Sequence, residues 1–196
     1  MKGGLSVLQK LIPGTTLEYT EKGSMFSLLL PLIQATDGLS LGQVCSITGL
    51  EPSTIQNWIR RGYVARPVNK KYRERQLARI LLISSLRDGM QIDKIGELMG
   101  MVNGSANDES DDIIPEEMLY DYFCNIVTDY FDEAPTPEGV PELVRRSLVS
   151  YTSKNKNDIK RLSDAMTVMV YAYIASVYKN KADIKISEME VEELEK

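Results

Sequence analysis

The sequence predicts a mainly α protein: a basic head of short helices broken by one ribbon, then a C-terminal helical bundle. Three observations carry this. Between Ser40 and Met99 apolar residues recur at helical spacing in four short runs, with the cation-rich ribbon YVARPVNKKYR between the second and third. Beyond residue 115 three longer runs follow, one of them apolar nearly all round. The charge is also divided. Gly38–Gly104 holds ten Lys/Arg against five Asp/Glu, and the rest of the chain thirteen against twenty-three. A basic module in an acidic chain is the asymmetry expected when one face meets phosphate.

The head begins with a legible helix pair. Ser40 and Gln43 form an S-x-x-Q capping box, and Leu39 with Val44 is spaced as a hydrophobic staple. Gly49 suits the left-handed end of that helix. Pro52 opens the next helix, where a missing N–H costs nothing. Ile55, Trp58 and Ile59 fall at i, i+3, i+4 and face the core. Ser53, Thr54, Gln56, Asn57, Arg60 and Arg61 are left toward water. Amides suit adenine edges, and guanidiniums suit guanine edges or phosphates.

In the ribbon, Tyr63 and Val64 start a short strand, Pro67 and Asn69 mark a turn, and the chain returns through Arg73. Arg66, Lys70, Lys71 and Arg73 are its cations, with Tyr63 and Tyr72 beside them. Cations so placed neutralise phosphates and position the protein without reading sequence. A third helix, about 74–87, carries Leu77, Ile80, Leu81 and Leu86. A fourth, about 92–99, carries Ile95, Leu98 and Met99.

Helix, turn, helix, wing, KKYR, a helix with Leu77, Ile80 and Leu81, then Arg87-Asp88-Gly89-Met90 and Ile92-x-x-Ile95: this order resembles the DNA-binding head of MerR-type regulators. It is still more similar to the bacterial family known as domain of unknown function 1836, where a TIQNW-like helix precedes a wing ending in KKY. The resemblance covers about a third of the chain. It implies a MerR-like winged helix-turn-helix and, by analogy, transcriptional control. Where MerR-type proteins usually carry Arg-Tyr-Tyr, this chain has Gln56-Asn57-Trp58. A coiled coil directly after the head is missing.

The remaining chain divides by composition. Residues 1–37 read as an N-terminal helical arm, with Leu5, Val7, Leu8, Leu11 and Ile12 ahead of a buried segment, MFSLLLPLIQAT, in which Pro31 kinks the helix or starts a turn. The head is assigned 38–102. Residues 103–115, NGSANDESDDIIP, read as an acidic linker, without the Gly and distal Glu of an EF-hand. Residues 116–186 form the C-terminal helical domain, and 187–196 a frayed acidic tail. The run AMTVMVYAYIASVY is apolar on nearly every side, so cover by a homodimer partner is expected there. Tyr171, Tyr173 and Tyr178 are the alternative, lining a pocket for an unknown small-molecule effector.

Several function classes drop out. With no histidine there is no His triad, metal site or pH switch. Cys45 and Cys124 are too few for a zinc site and read as buried free thiols. G-x-x-x-x-G-K-[ST], G-x-G-x-x-G and G-x-S-x-G are all missing, so no enzyme and no cofactor is expected. No apolar run approaches the ~20 residues of a membrane span, and a cytoplasmic protein is expected. The reading is a sequence-specific regulator of double-stranded DNA. The alternative is a protein-interaction adaptor whose winged head no longer binds DNA.

Overall fold

The computed structural model describes residues 11–18, 24, 26–133, 136–153 and 155–194. Its elements follow from capping and burial along the chain. They are α1 (Leu30–Ala35), α2 (Leu41–Thr48), α3 (Pro52–Arg60), α4 (Glu74–Leu86), α5 (Ile92–Asn103), α6 (Glu116–Glu133), α7 (Val140–Ser147) and α8 (Lys156–Leu194). The protein is thus mainly α. The strand expected at Tyr63-Val64 does not form: among the described residues the only β pairing is three isolated bridges. No described helix is long and apolar enough to cross a membrane.

Local signals work where they are strongest. Ser40 and Gln43 close the expected capping box on α2, and Gly49 ends it in the left-handed conformation at φ 69°. Pro52 stands in the first turn of α3, which buries Ile55 and Trp58. Pro31 likewise opens α1. The apolar segment around it is only partly buried. Phe26, Leu29 and Ile33 are inside, whereas Leu28 is 62% and Leu32 42% exposed. Leu5, Val7 and Leu8 lie outside the described residues. From the arm, Ile12 is buried, and the Pro13 carbonyl accepts a 2.7 Å bond from the Tyr120 hydroxyl of α6.

The centre of the molecule is α4. Leu77, Ala78, Arg79, Ile80, Leu81, Leu82, Ile83, Ser85 and Leu86 are all buried, so this helix has almost no wet face. It packs on α2, α5, α6 and α8, and α8 in turn covers α5, α6 and α7. One hydrophobic cluster therefore runs from Ile12 to Ile174. Head and C-terminal helices share a core, and the divisions read from composition are divisions of chain alone. At Gly89, between α4 and α5, a Cβ would lie 2.0 Å from the Ala172 carbonyl oxygen of α8. Only glycine admits so close a backbone approach.

Four expectations are corrected. Residues 103–115 are not a solvated linker. Arg75 Nη1 lies 2.6 Å from Asp112 Oδ2, its Nη2 donates to the Asp108 carbonyl at 2.8 Å, and Ile114 is fully buried. The Ile113 carbonyl also accepts from Tyr151 Oη. The apolar stretch of α8 is covered mostly from within the chain: Ala165, Met166, Met169, Val170, Ala172 and Ile174 are buried, and Val168, Tyr171 and Tyr178 are left exposed. Tyr173 packs edge-on against Phe123 and Phe131 rather than opening a pocket with Tyr171 and Tyr178. The tail is helical through Leu194.

One buried ion pair joins the two halves. Arg79 Nη1 of α4 lies 2.5 Å from Glu116 Oε1 at the start of α6, with side chains 5% and 0% exposed. Burial raises the Glu116 carboxyl above its ordinary range, while the Arg79 guanidinium pulls the other way. Removing one member strands the other charge. Glu116→Ala is expected to cost about 3–5 kcal/mol, and an apolar replacement of both partners to recover most of it. Urea unfolding measures both, and a loss below about 1 kcal/mol for Glu116→Ala would show that the pair does not hold α4 to α6.

Candidate nucleic-acid interface

Two elements meet on one side of the head. The exposed face of α3 presents Ser53, Gln56 and Arg60, and Thr54 and Asn57 are half-buried beside them. The ribbon doubles back at Asn69-Lys70, where Val68 and Lys71 exchange backbone hydrogen bonds of 3.0 and 2.8 Å. Both central residues have positive φ, 51° for Asn69 and 61° for Lys70. That is a two-residue hairpin turn of the mirror-image kind, where glycine is the favoured second residue. Lysine accepts left-handed strain there, of the order of 1–2 kcal/mol, and its ammonium is carried at the tip. Leu39 and Tyr72 pair reciprocally at 2.8 Å and fix the returning arm to the segment before α2.

Between these elements lies a groove of about 370 Å³, lined by Leu41, Gln56, Ile59, Pro67, Lys70 and Tyr72. It brings Gln56 of α3 and Lys70 of the hairpin to one place. Gln76 of α4 braces the ribbon from behind: its Oε1 accepts from Arg73 N–H at 3.0 Å and its Nε2 donates to the Arg66 carbonyl at 3.3 Å.

The twelve residues singled out from sequence separate into two groups. Ser53, Gln56, Arg66 and Lys70 are exposed, and among the described residues none makes a side-chain hydrogen bond or ion pair. The rest are wholly or partly engaged, Thr54 by half-burial alone. Arg61 Nη2 lies 2.6 Å from Asp93 Oδ1, with its guanidinium 4.8 Å from the centre of the Tyr63 ring. Tyr63 donates to the same carboxylate and is seated on α5, where a Cβ at Gly96 would lie 2.6 Å from its ring. The Tyr63 hydroxyl, and then Arg61, hold the Asp93 carboxyl below its ordinary range. Arg73 is paired with Asp37 at 2.8 Å, and Lys71 Nζ donates to the Gly38 carbonyl at 3.3 Å. Arg60 donates to Asn57 Oδ1 at 2.9 Å. Tyr72 is 3% exposed and belongs to the core, a correction to its placing on the ribbon surface.

Sequence reasoning missed the acids that engage these cations, Asp37 and Asp93, and the Arg75 cluster behind the ribbon. The one available signal was Arg75 and Arg79 standing one turn apart on a helix whose middle, Ile80 to Ile83, is continuously apolar. A wide cleft of about 720 Å³ lies between the ribbon and the 106–117 segment, with Arg66, Arg75, Glu109 and Asp112 on its walls.

The fold and this face define a helical protein with a cationic hairpin beside a helix pair. Residues 36–123 match the model of a family described as "Domain of unknown function (DUF1836)". The chain is also 24% identical over 141 residues to the uncharacterized protein YkrK of Bacillus subtilis (strain 168), an alignment covering 70% of this chain and 60% of the relative. The chain thus spans about 60% of the length of this curated relative. No solved structure matches the chain.

The strain at Lys70 sets a test of the hairpin itself. Lys70→Gly is expected to raise stability by about 0.5–1 kcal/mol, the left-handed penalty relieved less the added entropy of glycine. Urea midpoints decide it. A loss of stability would mean that the Lys70 side chain is held by the fold rather than presented to solvent.

Proposed function

We propose that this protein is a sequence-specific DNA-binding regulator of transcription. The head acts as a MerR-like winged helix-turn-helix: α3 enters the major groove and the hairpin rests on the flanking phosphates. The observation that carries this reading is the juxtaposition of Gln56 and Lys70 on one groove, with neither Arg66 nor Lys70 paired to an acid among the described residues. An unpaired amide on α3 suits a base edge. Unpaired cations on a strained hairpin suit phosphate, because neutralising phosphates releases counterions. Asn57 and Arg60 hold one another and would exchange that bond for contacts with bases and backbone.

A second reading has one observation in its favour. Arg61 and Arg73 are neutralised by Asp93 and Asp37, which weakens the positive face. On that reading the head is an adaptor that docks another protein.

Binding of purified protein to random-pool and genomic duplexes separates the two. Arg66→Ala with Lys70→Ala is expected to weaken binding similarly on every sequence and to lower the salt slope by up to ~2. Gln56→Ala is expected to alter the preferred site with little change in slope. A folded wild-type chain that retains no duplex at low salt would leave the adaptor reading.

A further inference from the structure

Beyond Asn180, α8 leaves the body of the molecule. Every residue from Lys181 to Val191 is exposed, although the helix continues to Leu194. The exposed segment is not uniformly polar. Val170, Val177, Ile184 and Val191 stand seven residues apart, so they lie along one helix face. Val170 and Val177 are buried in the core, whereas Ile184 is 47% and Val191 55% exposed. The stripe that seats α8 in the body therefore runs on past it, with Asp183, Ser187 and Glu188 around Ile184 and Val191, while Ile186 and Met189 are exposed off this stripe. A projecting segment of about 15 residues is marginal as an isolated helix. Its exposed pairs, Lys179 with Asp183 at 3.7 Å and Lys185 with Glu188 at 3.1 Å, add little support in water.

Charge identifies what covers the stripe. The first half of the overhang carries Lys181 and Lys185, just after Lys179, with one acid, Asp183. The second half, Glu188 to Leu194, reads EMEVEEL, without a cation. A second copy laid antiparallel sets the lysine half of each helix on the glutamate half of the other, twice over. A parallel copy stacks like on like. We propose that the overhanging end of α8 pairs antiparallel with the same segment of a second chain through Ile184 and Val191. This surface is distinct from the apolar stretch buried inside the chain, and the proposal does not depend on the DNA-binding reading. Each paired segment is about 22 Å long, at the small end of specific interfaces, so self-association at about tens of micromolar is expected.

Sedimentation equilibrium of the full chain tests this without DNA. The expected result is a monomer–dimer equilibrium that weakens about tenfold or more between about 50 and 500 mM NaCl, because salt screens the exposed charges. Ile184→Lys with Val191→Lys is expected to lower the association constant at least about tenfold, with the thermal unfolding of the body unchanged. Lys181→Glu with Lys185→Glu is expected to abolish self-association, and mixing it with Glu188→Lys/Glu190→Lys to restore a heterodimer. A chain that stays monomeric to hundreds of micromolar overturns the proposal. So does a dimer that tightens with salt, or one indifferent to both sets of substitutions.

Discussion

The structure depends on one buried ion pair, Arg79 with Glu116. A helix covered on all sides has no wet face on which to carry a charge, and α4 is such a helix. Its arginine must therefore be answered from whatever packs on it, since an unpaired buried charge is far costlier than a paired one. The answer comes from the first residue of α6, where a carboxylate also meets the positive end of the helix dipole. One turn earlier, Arg75 repeats the arrangement nearer the surface and takes Asp112 and the carbonyl of Asp108 from the acidic loop. Together the two arginines dictate where the chain between α5 and α6 runs. The matched family segment, residues 36–123, includes both members of the buried pair, so that segment contains the head and its electrostatic anchor together.

The same economy of charge shapes the candidate interface. Acids from neighbouring elements engage Arg61 and Arg73, and Lys71 caps a backbone carbonyl. Those cations hold the ribbon in place. Arg66 and Lys70 are left with no structural duty among the described residues. Lys70 even sits at a position where its own side chain is a conformational liability. Strain retained at an exposed charged residue is the local inconsistency expected where surface chemistry, rather than folding, selects the residue.

What was legible in the sequence was local. The Ser40–Gln43 box, Gly49, Pro52 and the core-facing Ile55 and Trp58 are each read from residues within one or two turns, and each forms as read. The illegible part was long-range. Asp93 lies 32 residues from Arg61, Asp112 37 from Arg75 and Glu116 37 from Arg79. No spacing rule pairs charges across such distances. The acidic stretch looked like a solvated linker because its composition is polar, and composition does not reveal that an arginine waits for it. The apolar run of α8 looked like a dimer face because a helix apolar all round needs several neighbours, and their number follows only from the packing of α4 to α7. Tyr72 looked exposed by association with the lysines beside it. Alternation along a hairpin arm turns it inward, where its backbone pairs with Leu39.

The contact at Gly89 has a mechanical consequence. Because the turn between α4 and α5 touches the backbone of α8 directly, with no side chain between them to yield, α8 cannot pivot there independently of the head. From Ala172 to the end of the helix is about 33 Å. A tilt of about 5° around that fulcrum moves the far tip by roughly 3 Å. Braced along its exposed stripe by a second helix, α8 is a lever whose short arm is embedded beside α5. Force applied at its exposed end is delivered to the head as torque, and a small rotation of the head is magnified at the tip.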